Sequence, residues 1–166
     1  MKKAVALAAL ALVGGAVFAT TSSSAGAAEE GSEIRSSYNN RCLTVAHFNA
    51  GDGASVHMYD CNGATTQKWV NDRGRLRNVF GNKCLVPSIG NGDNGASLSM
   101  FTCDFGGSTG GWQVFYQSGQ AGEEGRVRTA IGPNRCIEIS GANWWQGASV
   151  QLWDCAGGNH QRWAAL

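Results

Sequence analysis

One stretch sets the pattern for the rest of the chain: residues 40–69 read NRCLTVAHFNAGDGASVHMYDCNGATTQKW. Two cysteines stand 19 positions apart in it, and this separation recurs twice, which gives three pairs: Cys42 and Cys61, Cys84 and Cys103, Cys136 and Cys155. Each first cysteine follows Asn and a basic residue, and each copy reads Gly-Ala-Ser eleven residues later. An apolar residue followed by Arg opens each copy. This shared register predicts three copies of one structural unit.

Within each copy, the residues before the second cysteine alternate in polarity. Val56 and Met58 alternate with His57 and Tyr59, and the same pattern holds at 98–101 and 150–153. Such alternation predicts strands with one face on the core. The residues that alternate with the apolar ones, among them Ser99, Gln151 and Trp153, are therefore expected to face outward. Gly-, Asn- and Asp-rich clusters supply the turns. The sequence therefore predicts an all-β protein of three pseudo-symmetric repeats with about four short strands each.

The first 27 residues have the pattern of a secretory signal peptide. Lys2 and Lys3 precede an apolar run over residues 4–18, and Ala25-Gly26-Ala27 offers a small-residue cleavage site. The run is shorter than the ~20 residues that a membrane-spanning helix needs. We therefore expect a secreted, extracellular protein cleaved near Ala27, with no membrane span. The predicted organisation is a signal peptide over 1–27, a short N-terminal tail over 28–33, and repeats of about 34–75, 76–126 and 127–166.

The composition of the mature chain narrows the class of partner. Without Lys2 and Lys3, the 13 basic residues become 11 against 12 acidic ones, a net charge of −1 over 139 residues. A near-neutral chain without a basic run does not have the electrostatic footprint of a nucleic-acid-binding protein. Six cysteines in an exported protein indicate three disulfides rather than metal ligands. The simplest pairing keeps each bridge inside its own repeat; no metal or cofactor is expected.

A short motif follows the second cysteine of the outer copies. It reads Gln67-Lys68-Trp69 in the first copy and Gln161-Arg162-Trp163 in the third, whereas the middle copy has Gly110-Gly111-Trp112. With the cysteine spacing and the repeat number, this motif resembles the ricin B-chain family of β-trefoil lectins and carbohydrate-binding modules. The resemblance implies a β-trefoil fold, in which the Trp packs in the core and the Gln braces the backbone.

The resemblance also implies where sugars would bind. The family's shallow site uses an Asp two residues after the first cysteine, an aromatic two before the second, a polar residue two before that, and an Asn before the Gln. Here the aromatic is present in all three copies, and the Asp in none. The third copy is predicted to carry the main site, with Glu138, Gln151, Trp153, His160 and Gln161. The first copy offers a weaker set, Thr44, His57 and Tyr59, and the middle copy, with Val86 and Ser99 beside Phe101, is expected to be inactive.

One further feature lies outside the family pattern. Trp144 and Trp145 occupy a loop position where the other copies have Ala50-Gly51 and Gly92-Asp93. Exposed aromatic pairs are enriched at recognition surfaces. We expect this pair either to extend the sugar site of its own repeat or to contact a protein partner; the alternative is that one Trp covers the end of the barrel.

The sequence does not favour an enzyme. Residues 106–110 match the G-x-S-x-G nucleophile motif, but that motif needs a strand feeding a helix in an α/β sheet, and here it falls in a Gly-rich loop. The favoured hypothesis is a secreted lectin-like protein that binds neutral glycans or cell-wall polysaccharide, mainly through the third repeat. The alternative is a degenerate trefoil that has lost sugar binding and recognises a protein as an inhibitor, adaptor or toxin component.

Overall fold

The computed structural model describes residues 30–104, 115–118 and 124–164, and within these ranges every regular element is a strand or a single 3-10 turn. The strands are β1 (Ser32–Glu33), β2 (Arg35–Ser36), β3 (Cys42–Val45), β4 (Ala54–Tyr59), β5 (Lys68–Asp72), β6 (Arg75–Asn78), β7 (Lys83–Pro87), β8 (Leu98–Phe101), β9 (Phe115–Ser118), β10 (Glu124–Thr129), β11 (Arg135–Ile139), β12 (Val150–Asp154) and β13 (Trp163–Ala164). The 3-10 turns are Ala46–Phe48, Thr65–Gln67, Ser88–Gly90, Ser140–Ala142 and Asn159–Gln161. The predicted all-β class is confirmed.

Strands β2–β5, β6–β9 and β10–β13 form three equivalent sets of four. In each set the two middle strands make an antiparallel hairpin, and the residue after the first cysteine lies opposite the same position of the partner strand: Leu43↔Met58, Leu85↔Met100 and Ile137↔Leu152. The outer strands pair between sets, β5 with β6, β9 with β10 and β13 with β2, and β13 also pairs with β10 inside its own set. This is the predicted β-trefoil. Before the first set, β1 pairs with β5 and so joins part of the N-terminal tail to the sheet.

The glycine of each Gly-Ala-Ser tripeptide joins one repeat to the next. Gly53, Gly95 and Gly147 have φ of 81°, 86° and 85°, a left-handed conformation that a side chain disfavours. Their N–H groups donate to the carbonyls of Met100, Leu152 and Met58 at 2.7–2.8 Å. Each hairpin loop therefore packs against the strand of a different repeat, and the third loop closes the ring on the first repeat.

The buried faces of the strands meet in one core with the same threefold pattern. It includes Val56, Met58, Leu98, Met100, Val150 and Leu152, as the alternation predicts. Trp69 and Trp163 are fully buried, and their indole N–H groups donate to the carbonyls of Leu43 and Ile137 at 2.9 and 3.1 Å. The core role implied for these tryptophans is confirmed, whereas Trp112 lies outside the described residues.

The repeated Asn and Arg of the sequence motif have a shared structural role. Asn40, Asn82 and Asn134 all have positive φ, between 49° and 56°, which asparagine tolerates better than most residues. Each Asn side-chain oxygen accepts a hydrogen bond from the arginine that opens its repeat, at 2.9–3.0 Å: Arg35, Arg77 and Arg128. The motif therefore fixes the turn that leads into the hairpin of each repeat.

Three disulfides staple the hairpins. They join Cys42 to Cys61, Cys84 to Cys103 and Cys136 to Cys155, each within its repeat as predicted. Closing a loop of this size stabilises a fold by about 3 kcal/mol in the loop-entropy picture.

In the part of the chain that is described, no helix has the length and apolar character needed to cross a membrane.

Candidate functional site

An open pocket of about 450 Å³ lies in the first repeat. Its walls come from β3, the turn Ala46–Phe48, the end of β4 and the turn Thr65–Gln67, and its lining includes His47, Phe48, Tyr59, Asp60 and Asn62. One further lining residue, Gln146, comes from the third repeat. The pocket thus combines aromatic rings with carboxylate and amide groups, and it lies between two repeats.

The structure brings together Thr44, His57 and Tyr59, the weaker site predicted from sequence. Thr44 lies opposite His57 in the β3–β4 hairpin, and the His57 ring stacks on Tyr59 with 6.5 Å between ring centroids and 16° between planes. The Thr44 hydroxyl donates to the Cys42 carbonyl at 2.8 Å and accepts from the Gln67 side-chain amide at 3.1 Å. Thr44 therefore supports the pocket wall, and Tyr59 offers the aromatic surface.

The pKa of His57 is lowered from its ordinary value of 6.5. Burial removes water from the imidazole and disfavours its charged form, and repulsion from His47 acts in the same direction. The neutral form of the His57 ring is therefore favoured at pH 7.

Acid is expected to destabilise the fold through His57. Between its lowered folded pKa and 6.5, the unfolded chain binds a proton that the folded chain rejects, so stability falls as the pH drops through this window. The measurement is urea unfolding of wild type and His57→Gln at about pH 7.5 and about pH 5, either side of the histidine range. Glutamine occupies the equivalent position, 151, in the third repeat. We expect a smaller acid-dependent loss in His57→Gln; equal losses would contradict the assignment.

In the third repeat, the predicted polar residues converge but mainly bind one another. Glu138 is only 4% exposed; its carboxylate accepts hydrogen bonds from the side-chain amides of Gln151 at 2.8 Å and Gln161 at 2.9 Å. His160 Nε2 lies 3.3 Å from the same carboxylate. Since β11 lies under the turn Asn159–Gln161, Glu138 is a buried acceptor in an internal network.

Gln161 has the bracing role that the resemblance implies. It is fully buried, its amide also donates to the Asp154 carbonyl at 2.7 Å, and its oxygen accepts from the Ala156 N–H at 3.0 Å. Gln67 makes the matching bonds to Asp60 and Asn62 in the first repeat. Both glutamines fix the chain after the second cysteine, and neither side chain is open to solvent.

Trp153 is the exposed member of the third-repeat set. Trp153 lies on β12 opposite Cys136 of β11, and 41% of its surface is accessible to solvent. The second-repeat loop approaches it: a Cβ on Gly95 would lie 3.8 Å from the Trp153 ring, and Asn94 donates to the Asp154 carboxylate at 2.9 Å. Trp153 and the half-buried His160 and Gln151 are the accessible parts of the predicted site.

The middle repeat departs from one expectation of the alternation. Ser99 was expected to face outward but is buried, because its hydroxyl packs 3.3 Å from that of Ser88 under the turn Ser88–Gly90. Val86, opposite it, is fully buried as well. The motif at residues 106–110 lies outside the described residues.

Trp144 and Trp145 are exposed by 57% and 70%, so neither covers the end of the barrel. The backbone of their loop is bound by residues of the first repeat. The Trp144 carbonyl accepts a hydrogen bond from Arg41, and the Tyr38 hydroxyl donates to the Ala142 carbonyl at 2.8 Å. The loop therefore lies against the first repeat, next to the pocket.

Phe48, Asp60 and Gln146 belong to the pocket but were not identified from the sequence. One signal for Phe48 was present: aligning the copies places it opposite Gly90 and Ala142, so it is a large aromatic in a small-residue position. In the structure, 72% of the Phe48 side chain is exposed, the largest fraction for any large apolar residue among those described. No pattern within one repeat could have identified Gln146, because it reaches the pocket from another repeat.

The described part of the chain is thus a disulfide-stapled β-trefoil with an open, partly aromatic pocket. The sequence profile of the ricin-type beta-trefoil lectin domain matches residues 30–122. The chain belongs to this family.

Solved structures share the fold. The designed threefold-symmetric protein ThreeFoil matches at a TM-score of 0.72 and 19% identity, covering 80% of this chain and 95% of that one. The C-half of the earthworm R-type lectin, in complex with GalNAc, matches at 0.65 and 18%, covering 80% and 94%. The Macrolepiota procera ricin B-like lectin, in complex with lactose, matches at 0.65 and 19%, covering 80% and 91%.

Proposed function

We propose that this protein is a secreted, non-enzymatic lectin that binds neutral carbohydrate, a glycan or a cell-wall polysaccharide, through the first-repeat pocket. The observation that carries this proposal is the pocket itself. Its volume of about 450 Å³ falls within the range of small-ligand sites, and Tyr59 offers a ring on which the C–H face of a sugar can pack. Asp60, Asn62 and Gln146 supply acceptors and donors for hydroxyl groups.

The charges around the pocket favour a neutral ligand. The Asp60 carboxylate lies 3.0 Å from the Arg41 guanidinium, so their charges largely cancel. Burial keeps His57 neutral, as the lowered pKa indicates. A neutral sugar fits such a site better than an anion or a cation. The GalNAc and lactose complexes of the two lectins above are consistent with this class of ligand.

Secretion rests on the sequence and on the disulfides. Residues 1–27 carry the charged, apolar and small-residue segments of a signal peptide, with cleavage proposed near Ala27. Three intact disulfides suit an oxidising compartment rather than the cytosol.

The third repeat remains a second candidate for the sugar site because Trp153 is exposed there. Its ring lies on the outer face of β12, with the accessible parts of Gln151 and His160 on the same repeat. Because Glu138 and Gln161 are committed to internal hydrogen bonds, we rank this site below the first-repeat pocket.

Two alanine variants separate these sites. Tyr59→Ala is expected to lower glycan affinity by about 1–3 kcal/mol, one to two decades, because it removes the aromatic wall of the pocket. Trp153→Ala is expected to change it by less than about threefold, under 1 kcal/mol. The measurement is calorimetric titration with lactose, GalNAc and soluble xylan, mannan and galactan, with folding checked by circular dichroism.

Tyr59→Phe is the matched control for the first variant, because it retains the ring and removes only the hydroxyl. If Trp153→Ala abolishes binding and Tyr59→Ala does not, the third repeat is the sugar site. If no glycan binds, the lectin proposal is wrong and the protein-partner hypothesis, centred on Trp144 and Trp145, replaces it.

A further inference from the structure

The loop over residues 143–147 is part of the third repeat in sequence, but its contacts are with the first repeat. The Gly147 N–H donates to the Met58 carbonyl at 2.7 Å, and the Met58 N–H donates to the Ala148 carbonyl at 2.9 Å. A Cβ on Gly147 would lie 4.0 Å from the Tyr59 hydroxyl. The loop is thus attached to the strand that carries the aromatic wall of the pocket.

The backbone of this loop is held in place while its large side chains face solvent. The Trp145 N–H donates to the Asn143 side-chain oxygen at 3.0 Å, and the Ala148 N–H donates to the Trp145 carbonyl at 3.2 Å. Arg41 binds the Trp144 carbonyl and forms the ion pair with Asp60, a lining residue. A rigid turn therefore presents two exposed indoles beside the pocket at little entropic cost on binding.

Gln146 differs from its equivalents in the other two loops. Asp52 accepts from the Thr102 N–H at 2.7 Å and pairs with Lys83, and Asn94 donates to the Asp154 carboxylate. Among the described residues no hydrogen-bond partner is found for the Gln146 side chain, which instead lines the pocket. Its amide is therefore free to bind a ligand at the border between the pocket and the tryptophan pair.

We propose that the pocket, Gln146 and the Trp144–Trp145 pair form one continuous surface for a neutral oligosaccharide chain of several rings. This inference rests on the proposed function and specifies its ligand. The pocket holds one ring against Tyr59, Gln146 bonds the chain where it leaves the pocket, and an indole face supports a following ring. The alternation of apolar faces with a free amide matches the alternating C–H faces and hydroxyls of a sugar chain.

The test is titration with oligosaccharides of one, two and four rings, from galactan, xylan and mannan. Wild type is expected to bind four rings at least about tenfold more tightly than one, as one further aromatic contact would provide. In the Trp144→Ala/Trp145→Ala double variant this ratio is expected to fall below about threefold while one-ring affinity is retained. Asp93→Ala, at the position of Trp145 in the second-repeat loop, is the matched control and is expected to keep the full ratio.

The outcomes separate the two proposals. If wild type binds but gains nothing with chain length, or if the double variant keeps the tenfold ratio, the extended surface is wrong and the single-pocket lectin stands. If no chain binds at any length, the lectin proposal fails and the extended surface with it. Loss of one-ring binding in the double variant, with circular dichroism unchanged, would also overturn the division of roles, because the tryptophans would then belong to the primary site.

Discussion

Trp163→Ala is expected to lower the free energy of unfolding by about 3–5 kcal/mol, the cost of emptying the volume of a large aromatic in a core. Trp163 is fully buried, and its indole N–H is bonded to the Ile137 carbonyl at 3.1 Å. The variant therefore leaves both a cavity and an unpaired carbonyl between β11 and β13. Guanidinium unfolding with the disulfides intact, followed by circular dichroism, measures the change.

Trp153→Ala is the matched control, since it removes the same side chain ten residues away in the same repeat. Trp153 is 41% exposed, so we expect a loss below about 1 kcal/mol. Trp163→Phe keeps most of the ring volume, and it is the variant to measure if the alanine variant does not fold. Comparable losses at Trp153 and Trp163 would contradict the assignment of one to the core and the other to the surface.

Glu138→Ala is expected to cost about 2–4 kcal/mol of folding stability, because it removes two hydrogen bonds to a buried charged acceptor, each of which contributes about 1.5–3 kcal/mol. The carboxylate accepts from Gln151 and from the fully buried Gln161; after truncation the Gln151 amide has lost this acceptor, and the Gln161 amide keeps only its bond to the Asp154 carbonyl. This outcome distinguishes a structural glutamate from one that contacts sugar. Truncating a glutamate that contacts sugar would weaken glycan binding and leave the folding stability unchanged.

The first repeat supplies the control for this variant. There Thr44 occupies the position of Glu138, and its hydroxyl accepts from the Gln67 amide at 3.1 Å. Glu138→Thr should therefore restore an acceptor for Gln161 and recover part of the loss. Urea unfolding of the three proteins at pH 7 measures both effects. If threonine is as damaging as alanine, the hydrogen bond to Gln161 is not the source of the loss.

The convergence of the third-repeat residues was accessible to sequence reasoning, but the burial of Glu138 was not. Ile137 and Ile139 of β11 pack in the core, and Glu138 between them points to the opposite face. That face would be solvated in an isolated hairpin. Here the turn Asn159–Gln161, about twenty residues later, returns to cover it. Strand periodicity describes two faces of one strand and carries no information about which later segment covers the outer one.

The sequence by itself determined the three repeats, the disulfide pairing, the core strands and the buried tryptophans. The repeats, the pairing and the strands follow from spacing and periodicity along the chain, and the burial of the tryptophans follows from the family resemblance that the Gln-x-Trp motif carries. In each case the interacting residues lie within about thirty positions of one another. The tertiary structure alone decided that the first repeat carries an open pocket and which residues surround it. The hydrogen bonds of Met58 to Gly147 and Ala148 bring Gln146 into the pocket that Tyr59 lines, roughly ninety positions away in the chain. The physical reason is that each hairpin loop of the trefoil packs on another repeat. A site built from two repeats therefore depends on how the three repeats pack around the barrel, and not on which residues are close in sequence.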